Sequence, residues 1–277
     1  MKKILCSTGA LIGRPNNRDY SLIKEYAPKL YCDGFEFMMY SSWYNQVDKL
    51  IEELKKSKLN FPVMHCEKHI GEDLGRNIDG KYQTAKEKFK VNCEIAKEIG
   101  AEKIVVHLWD GIYSDSTIEN NIKGYETIRR VSDEYYIELL IENVVCSHKS
   151  PMEHWMRLIK EFPDAKLIFD TKMAAFHYQL EEIYKEENLF LWKKNIRHLH
   201  INDYAGSYKD WNNLITLPIN KGNIDFDKFF EYTKNIQYNG DYTIEATAFS
   251  DDGKVNFDML NKCFKFIKKV IDNKKQK

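Results

Sequence analysis

The chain has 277 residues, 42 basic and 42 acidic side chains, zero formal net charge and 43% hydrophobic residues. The balanced charge disfavours nucleic acid as a partner, since duplex binders usually carry a basic excess. No apolar run is long enough to span a membrane. The length suits one large domain, and residues 1–277 are read as a single one.

In chain order the predicted strands are KILCS (3–7), GFEFM (34–38), FPVMH (61–65), KIVVH (103–107), IELLIE (137–142), KLIFD (166–170), IRHLHI (196–201) and YTIEA (242–246). Helical patterns lie between them at 19–31, 44–58, 80–100, 117–135, 151–162, 174–188, 225–236 and 255–272. Gly100 stands where a helix-ending glycine belongs, and Pro151 near a helix start. Strands alternating with helices imply a parallel sheet, and eight such units predict an α/β fold, a single (β/α)8 TIM barrel. An open doubly wound sheet is the runner-up, but STGALIGRP after the first strand does not match its glycine fingerprint.

The six cysteines form no C-x-x-C pair, which points to reduced thiols in a reducing compartment. MKKILCSTGALIG has a basic start, but its apolar run is too short for a signal peptide. A soluble cytoplasmic protein is therefore expected. The basic tail KKVIDNKKQK reads as a frayed, solvated helix end.

Chemistry collects at the strand ends. Glu36, His65, His107, Glu142, Asp170, His200 and Glu245 each lie at or near the C-terminal end of a predicted strand, the rim where barrel active sites form. Singly, each has an ordinary explanation as a helix cap or a hydrogen-bonded polar residue. Together they crowd carboxylates that repel unless neutralised, and a divalent cation is the simplest agent. Imidazole with carboxylate suits zinc, manganese or cobalt better than calcium. In IRHLHINDY, strand alternation places His198, His200 and Asn202 on one face.

HCEKHIGEDLG (65–75), VVHLW (105–109), LLIEN (139–143), IFDTKMAAFH (168–177), HLHIND (198–203), KGNIDF (221–226) and TIEAT (243–247) follow one another in this order. With these motifs the chain resembles the xylose isomerase-like barrel superfamily. That group holds sugar isomerases and epimerases as well as the endonuclease IV type of abasic-site nuclease. The resemblance implies that Glu142, Asp170, His200 and Glu245 form a central metal quartet, with one or two divalent ions per chain. It implies that His198 lies deeper, as a packing or supporting residue, and that Asp203 supports the site after the seventh strand. His65 and His107 resemble the pair that, in the nuclease branch, joins the counterpart of Glu142 around another metal. Dimers and tetramers are common in the superfamily, so a homo-oligomer is in keeping with it; no sequence feature sets the state.

Two departures bear on the activity. Met173 stands where the nuclease branch has a histidine, and Asn212 where its Asp-x-His motif ends, so two of three ligands for a third metal are missing. Many epimerases also carry a substrate-contacting histidine where Met173 stands; His177, one turn on, is a weak substitute for it.

The resemblance implies a sugar or sugar phosphate isomerase or epimerase acting on a small carbohydrate through a metal-stabilised enediolate. Glu142 and Glu245 would move the proton α to the carbonyl. The alternative is a metal-dependent phosphodiesterase of the nuclease type with a reduced metal cluster. A non-catalytic barrel is the third reading, opposed by the full quartet. Trp109 and Trp43 are candidate walls for a sugar ring, with core packing an equal explanation. Lys172, Glu36 and Asp203 are further candidate substrate contacts. Of the rim lysines Lys68, Lys172 and Lys221, Lys172 follows a metal-ligand strand most closely and could meet a phosphate or carboxylate.

Overall fold

The computed structural model describes residues 2–78 and 80–272. Eight strands form a closed barrel with neighbours in chain order: β1 (Ile4–Ser7), β2 (Gly34–Met38), β3 (Val63–His65), β4 (Lys103–Val106), β5 (Glu138–Glu142), β6 (Lys166–Asp170), β7 (Ile196–Ile201) and β8 (Asp241–Ile244). The connecting α-helices are α1 (Leu22–Tyr26), α2 (Val47–Ser57), α3 (His69–Arg76), α4 (Lys81–Ile99), α5 (Ser114–Glu134), α6 (Pro151–Glu161), α7 (Thr171–Phe176), α8 (Leu180–Ile183), α9 (Phe226–Asn235) and α10 (Phe257–Asp272). The expected end of the basic tail, residues 273–277, lies outside the described residues. Contacts divide the chain into two compact units, Met1–Phe35 with Asp170–Lys277, and Glu36–Phe169.

In the unit Glu36–Phe169, β2 to β6 pair in parallel with partners Glu36↔Val63, His65↔Val105, Val105↔Leu140 and Glu142↔Ile168. Paired residues of a parallel ladder share a face, and residues two apart on a strand share it too. Glu36, His65 and Glu142 therefore project from the same face. The opposite face carries Phe37, Met64, Ile104, Leu139, Ile141 and Leu167, all buried. Strands apolar on one face and polar at their ends give runs such as ELLIE, in which only the last carboxylate is buried.

In the other unit, β7 pairs with β8 through His200↔Thr243 and Ile201↔Ile244, and β8 with β1 through Leu5↔Thr243. Strand β8 ends at Ile244, one residue before Glu245, whose N–H still donates to the Ile201 carbonyl at 3.2 Å. Glu245 thus continues the ladder beside β7.

Strands β2, β6 and β7 keep their predicted bounds, whereas β3 is only three residues long. Helix α4 ends on Gly100 at φ 79°, and α6 opens with Pro151 behind a Ser150/Glu153 capping box. Two segments depart from expectation. Helix α3 has no counterpart among the predicted elements. A Cβ on its Gly71 would lie 1.9 Å from the His107 carbonyl oxygen, so only glycine lets α3 press against that backbone. Asn121 Nδ2 ties the contact by donating to the Gly71 carbonyl at 2.8 Å and the Leu108 carbonyl at 2.5 Å. The helix expected over 174–188 breaks instead into α7 and α8, with Tyr178 between them at φ 53°.

Candidate metal centre

The unit Glu36–Phe169 gathers His65, His107 and Glu142, whose ligand atoms lie within 4.8 Å of one another. Strand β3 delivers His65 and β5 delivers Glu142; His107 follows β4 directly. His65 Nδ1 is 2.8 Å from the Cys66 carbonyl. A carbonyl only accepts, so Nδ1 carries a proton and donates it there. His65 Nε2 lies 3.3 Å from Glu142 Oε2. His107 Nε2 lies 2.7 Å from the same oxygen. Burial pushes the His107 imidazole down to about 4, against the attraction of Glu142, so at neutral pH its ring is uncharged.

In the unit that holds residues 170–277, Asp170, His200 and Glu245 converge, again with ligand atoms within 4.8 Å of one another. His200 Nδ1 is 4.0 Å from Asp170 Oδ2 and 3.6 Å from Glu245 Oε2. Both separations exceed hydrogen-bond length. Ligand bonds of roughly 2.1 Å set neighbouring donor atoms about 3.4 Å apart around a tetrahedral ion, so this spacing leaves room for one. Asp170 and His200 are fully buried, and Glu245 Oε1 is a buried oxygen with no hydrogen-bond partner among the described residues. A buried carboxylate oxygen left without a donor is costly. An imidazole and two carboxylates, one of them with an orphaned oxygen, fit a divalent cation such as zinc, manganese or cobalt.

Asp170 is held from two sides. Its Oδ1 accepts the Met173 N–H at 2.7 Å, capping α7, and its Oδ2 accepts Asn202 Nδ2 at 2.6 Å. The Asn202 side-chain carbonyl accepts the Lys172 N–H at 2.9 Å. Thr171 Oγ1 accepts the Asn202 N–H at 3.1 Å and donates to the Asn202 carbonyl at 2.6 Å. These bonds decide which way the amide faces, and hence orient the carboxylate. His198 Nε2 bonds Thr243 Oγ1 at 2.7 Å, and its ring meets His200 edge-on with centroids 6.0 Å apart.

Asp203 is buried, with Oδ2 accepting the N–H groups of Lys221 (3.0 Å) and Gly222 (2.8 Å) and Oδ1 those of Tyr204 (2.8 Å) and Ile224 (3.1 Å). The carboxylate organises the KGNIDF loop, where a Cβ on Gly222 would lie 2.5 Å from Asp203 Oδ1. Trp109 is buried, donates Nε1–H to the Val144 carbonyl at 2.8 Å and packs its ring edge-on to His154. Trp43 is buried and stacks on Phe37. Glu36 is fully buried on β2. Lys68 and Lys221 are exposed, whereas Lys172 is buried and its Nζ donates to Thr216 Oγ1 at 2.8 Å. Met173 is buried, and His177 packs between Phe176 and Tyr208. Sequence reasoning saw Asn202 share a face with His200 but assigned it no part in holding Asp170.

The family model for the xylose isomerase-like TIM barrel matches residues 25–263, and the chain belongs to that family. No match is found among curated proteins. Similar solved structures include a D-tagatose 3-epimerase-like protein at 19% identity, covering 98% of this chain and 97% of that one with a TM-score of 0.71. The D-allulose 3-epimerase from Methylomonas sp. is 16% identical, covering 97% and 98%, with a TM-score of 0.71. The 3-keto-D-glucoside 4-epimerase from E. coli is 15% identical, covering 97% and 100%, with a TM-score of 0.70. Among the described residues no helix is long and apolar enough to cross a membrane.

Proposed function

We propose that the chain is a divalent-metal-dependent sugar isomerase or epimerase. The observation that carries this reading is the spaced group of Asp170, His200 and Glu245, with the orphaned Glu245 Oε1. Membership of a family whose similar structures are sugar epimerases supports it. Glu142 is the proposed fourth ligand.

A bound divalent cation would supply positive charge against the negative charge that develops on substrate oxygens. Glu142 and Glu245 move the proton. The carboxylate of one removes a proton from the carbon next to a carbonyl; the C–H electron pair forms a C=C bond as the carbonyl π pair moves onto oxygen. The other, as a carboxylic acid, returns a proton to carbon, so the two exchange protonation states in one turnover. The His107 N–H on Glu142 Oε2 favours the charged carboxylate in this exchange. The reading carries with it a small carbohydrate substrate and a cytoplasmic setting.

The phosphodiesterase reading draws on the grouping of His65 with His107 and Glu142. Met173 and Asn212 stand against it. The manganese-loaded protein should exchange the α-hydrogen of a ketose with solvent deuterium and leave an abasic oligonucleotide uncut. Nicking without exchange would reverse the assignment.

A further inference from the structure

Lys172 is the one buried lysine among the described residues, 7% exposed, and it directly follows the pair Asp170–Thr171. Its backbone N–H is fixed by Asn202, the same amide that holds Asp170. The ammonium is therefore set on the scaffold of the proposed metal ligand. Nζ reaches Thr216 Oγ1 at 2.8 Å, and the Thr216 carbonyl accepts the N–H of Thr247, two residues after Glu245. The chain of contacts runs from the end of β6 to the segment beyond β8.

An ammonium has three donors. Here a neutral hydroxyl takes one, and no ion pair to Lys172 exists among the described residues. A counter-charge for Asp170 or Glu245 would stand within ion-pair range of one of them; Lys172 does not. An anionic partner meets such a cation with a stronger, charge-assisted hydrogen bond than a neutral hydroxyl does.

We infer that Lys172 receives an anionic group of the substrate, so that the sugar carries a phosphate or a carboxylate. This rests on the sugar-isomerase reading of the neighbouring site. Such a charge-assisted hydrogen bond raises affinity about 10- to 100-fold over a neutral partner.

The test is calorimetric binding to the manganese-loaded protein of a neutral ketohexose, its phosphate ester and a hexuronate, in wild type, Lys172→Met and Lys172→Gln. Retained metal content checks that each variant folds, and the Gln variant keeps a donor for Thr216. The expected result is that one anionic sugar binds about 10- to 100-fold tighter than the neutral one, and that both variants erase most of the difference. Preference for the phosphate or for the carboxylate names the source of the anion. Equal binding of the neutral sugar overturns the inference and leaves the isomerase reading intact. A preference that both variants keep also overturns it. Binding of none of the three sugars to metal-loaded protein overturns both.

Discussion

At His65, His107 and Glu142 the side chains bond to one another; at Asp170, His200 and Glu245 they stand apart. The first group shares Glu142 Oε2 at 2.7 and 3.3 Å, close to hydrogen-bond length. The second keeps 3.6 and 4.0 Å between its ligand atoms, and outside groups hold it: Met173 N–H and Asn202 on Asp170, and the ladder beside His200 for Glu245. The contrast teaches that a similar set of residue types serves two ends. The first group is held by bonds within it; the second is held from behind, which leaves its ligand atoms spaced apart at the front.

The largest expected effect is on chemistry. Glu245→Gln and Glu142→Gln should each slow exchange of substrate hydrogen with deuterated solvent by about 10³-fold, as removal of an acid–base group does. NMR of the sugar reads this directly, and wild-type exchange in either variant would remove the two-glutamate mechanism. Next comes the support behind Asp170. Asn202→Ala should weaken metal binding about 10- to 100-fold while sparing the ligands themselves. Titration against a competing chelator measures it; unchanged affinity would mean that Met173 N–H alone orients the carboxylate.

Two further predictions concern the His107 side. Gly71→Ala forces a methyl group into the His107 and Leu108 backbone and should destabilise the protein by about 3 kcal/mol in urea unfolding. A neutral result would show that α3 shifts freely. The second is a pH dependence at His154. Burial pushes its imidazole down to about 4, against the pull of Asp115 at 3.7 Å. The unfolded chain binds this proton near 6.5, so its contribution is complete above that pH and is lost as pH falls from about 6.5 to 4, on the order of 3 kcal/mol. His154→Gln should flatten that part of the stability profile, and an unaltered slope would assign the acid sensitivity elsewhere.

Much of this was legible in the sequence. GFEFM, KLIFD and IRHLHI are strands with their predicted bounds because alternation and β-branched or aromatic residues agree there. The rim residues followed from strand ends alone. Helix α3 was not legible, since two glycines within HIGEDLGR lower helix propensity and their reason lies far away in the chain, at His107 and Asn121. The break at Tyr178 carries no glycine or proline to announce it. The hold of Asn202 on Asp170, across 32 positions, is a tertiary fact that local pattern does not encode.

The most direct test of the central claim is metal stoichiometry by elemental analysis, on protein purified without chelator or affinity histidines, for wild type, His200→Ala and His107→Ala. The account predicts one ion per chain, lost in His200→Ala and kept in His107→Ala. Two ions per chain, one of them lost in His107→Ala, would contradict it and make the His65, His107 and Glu142 group a metal site in its own right.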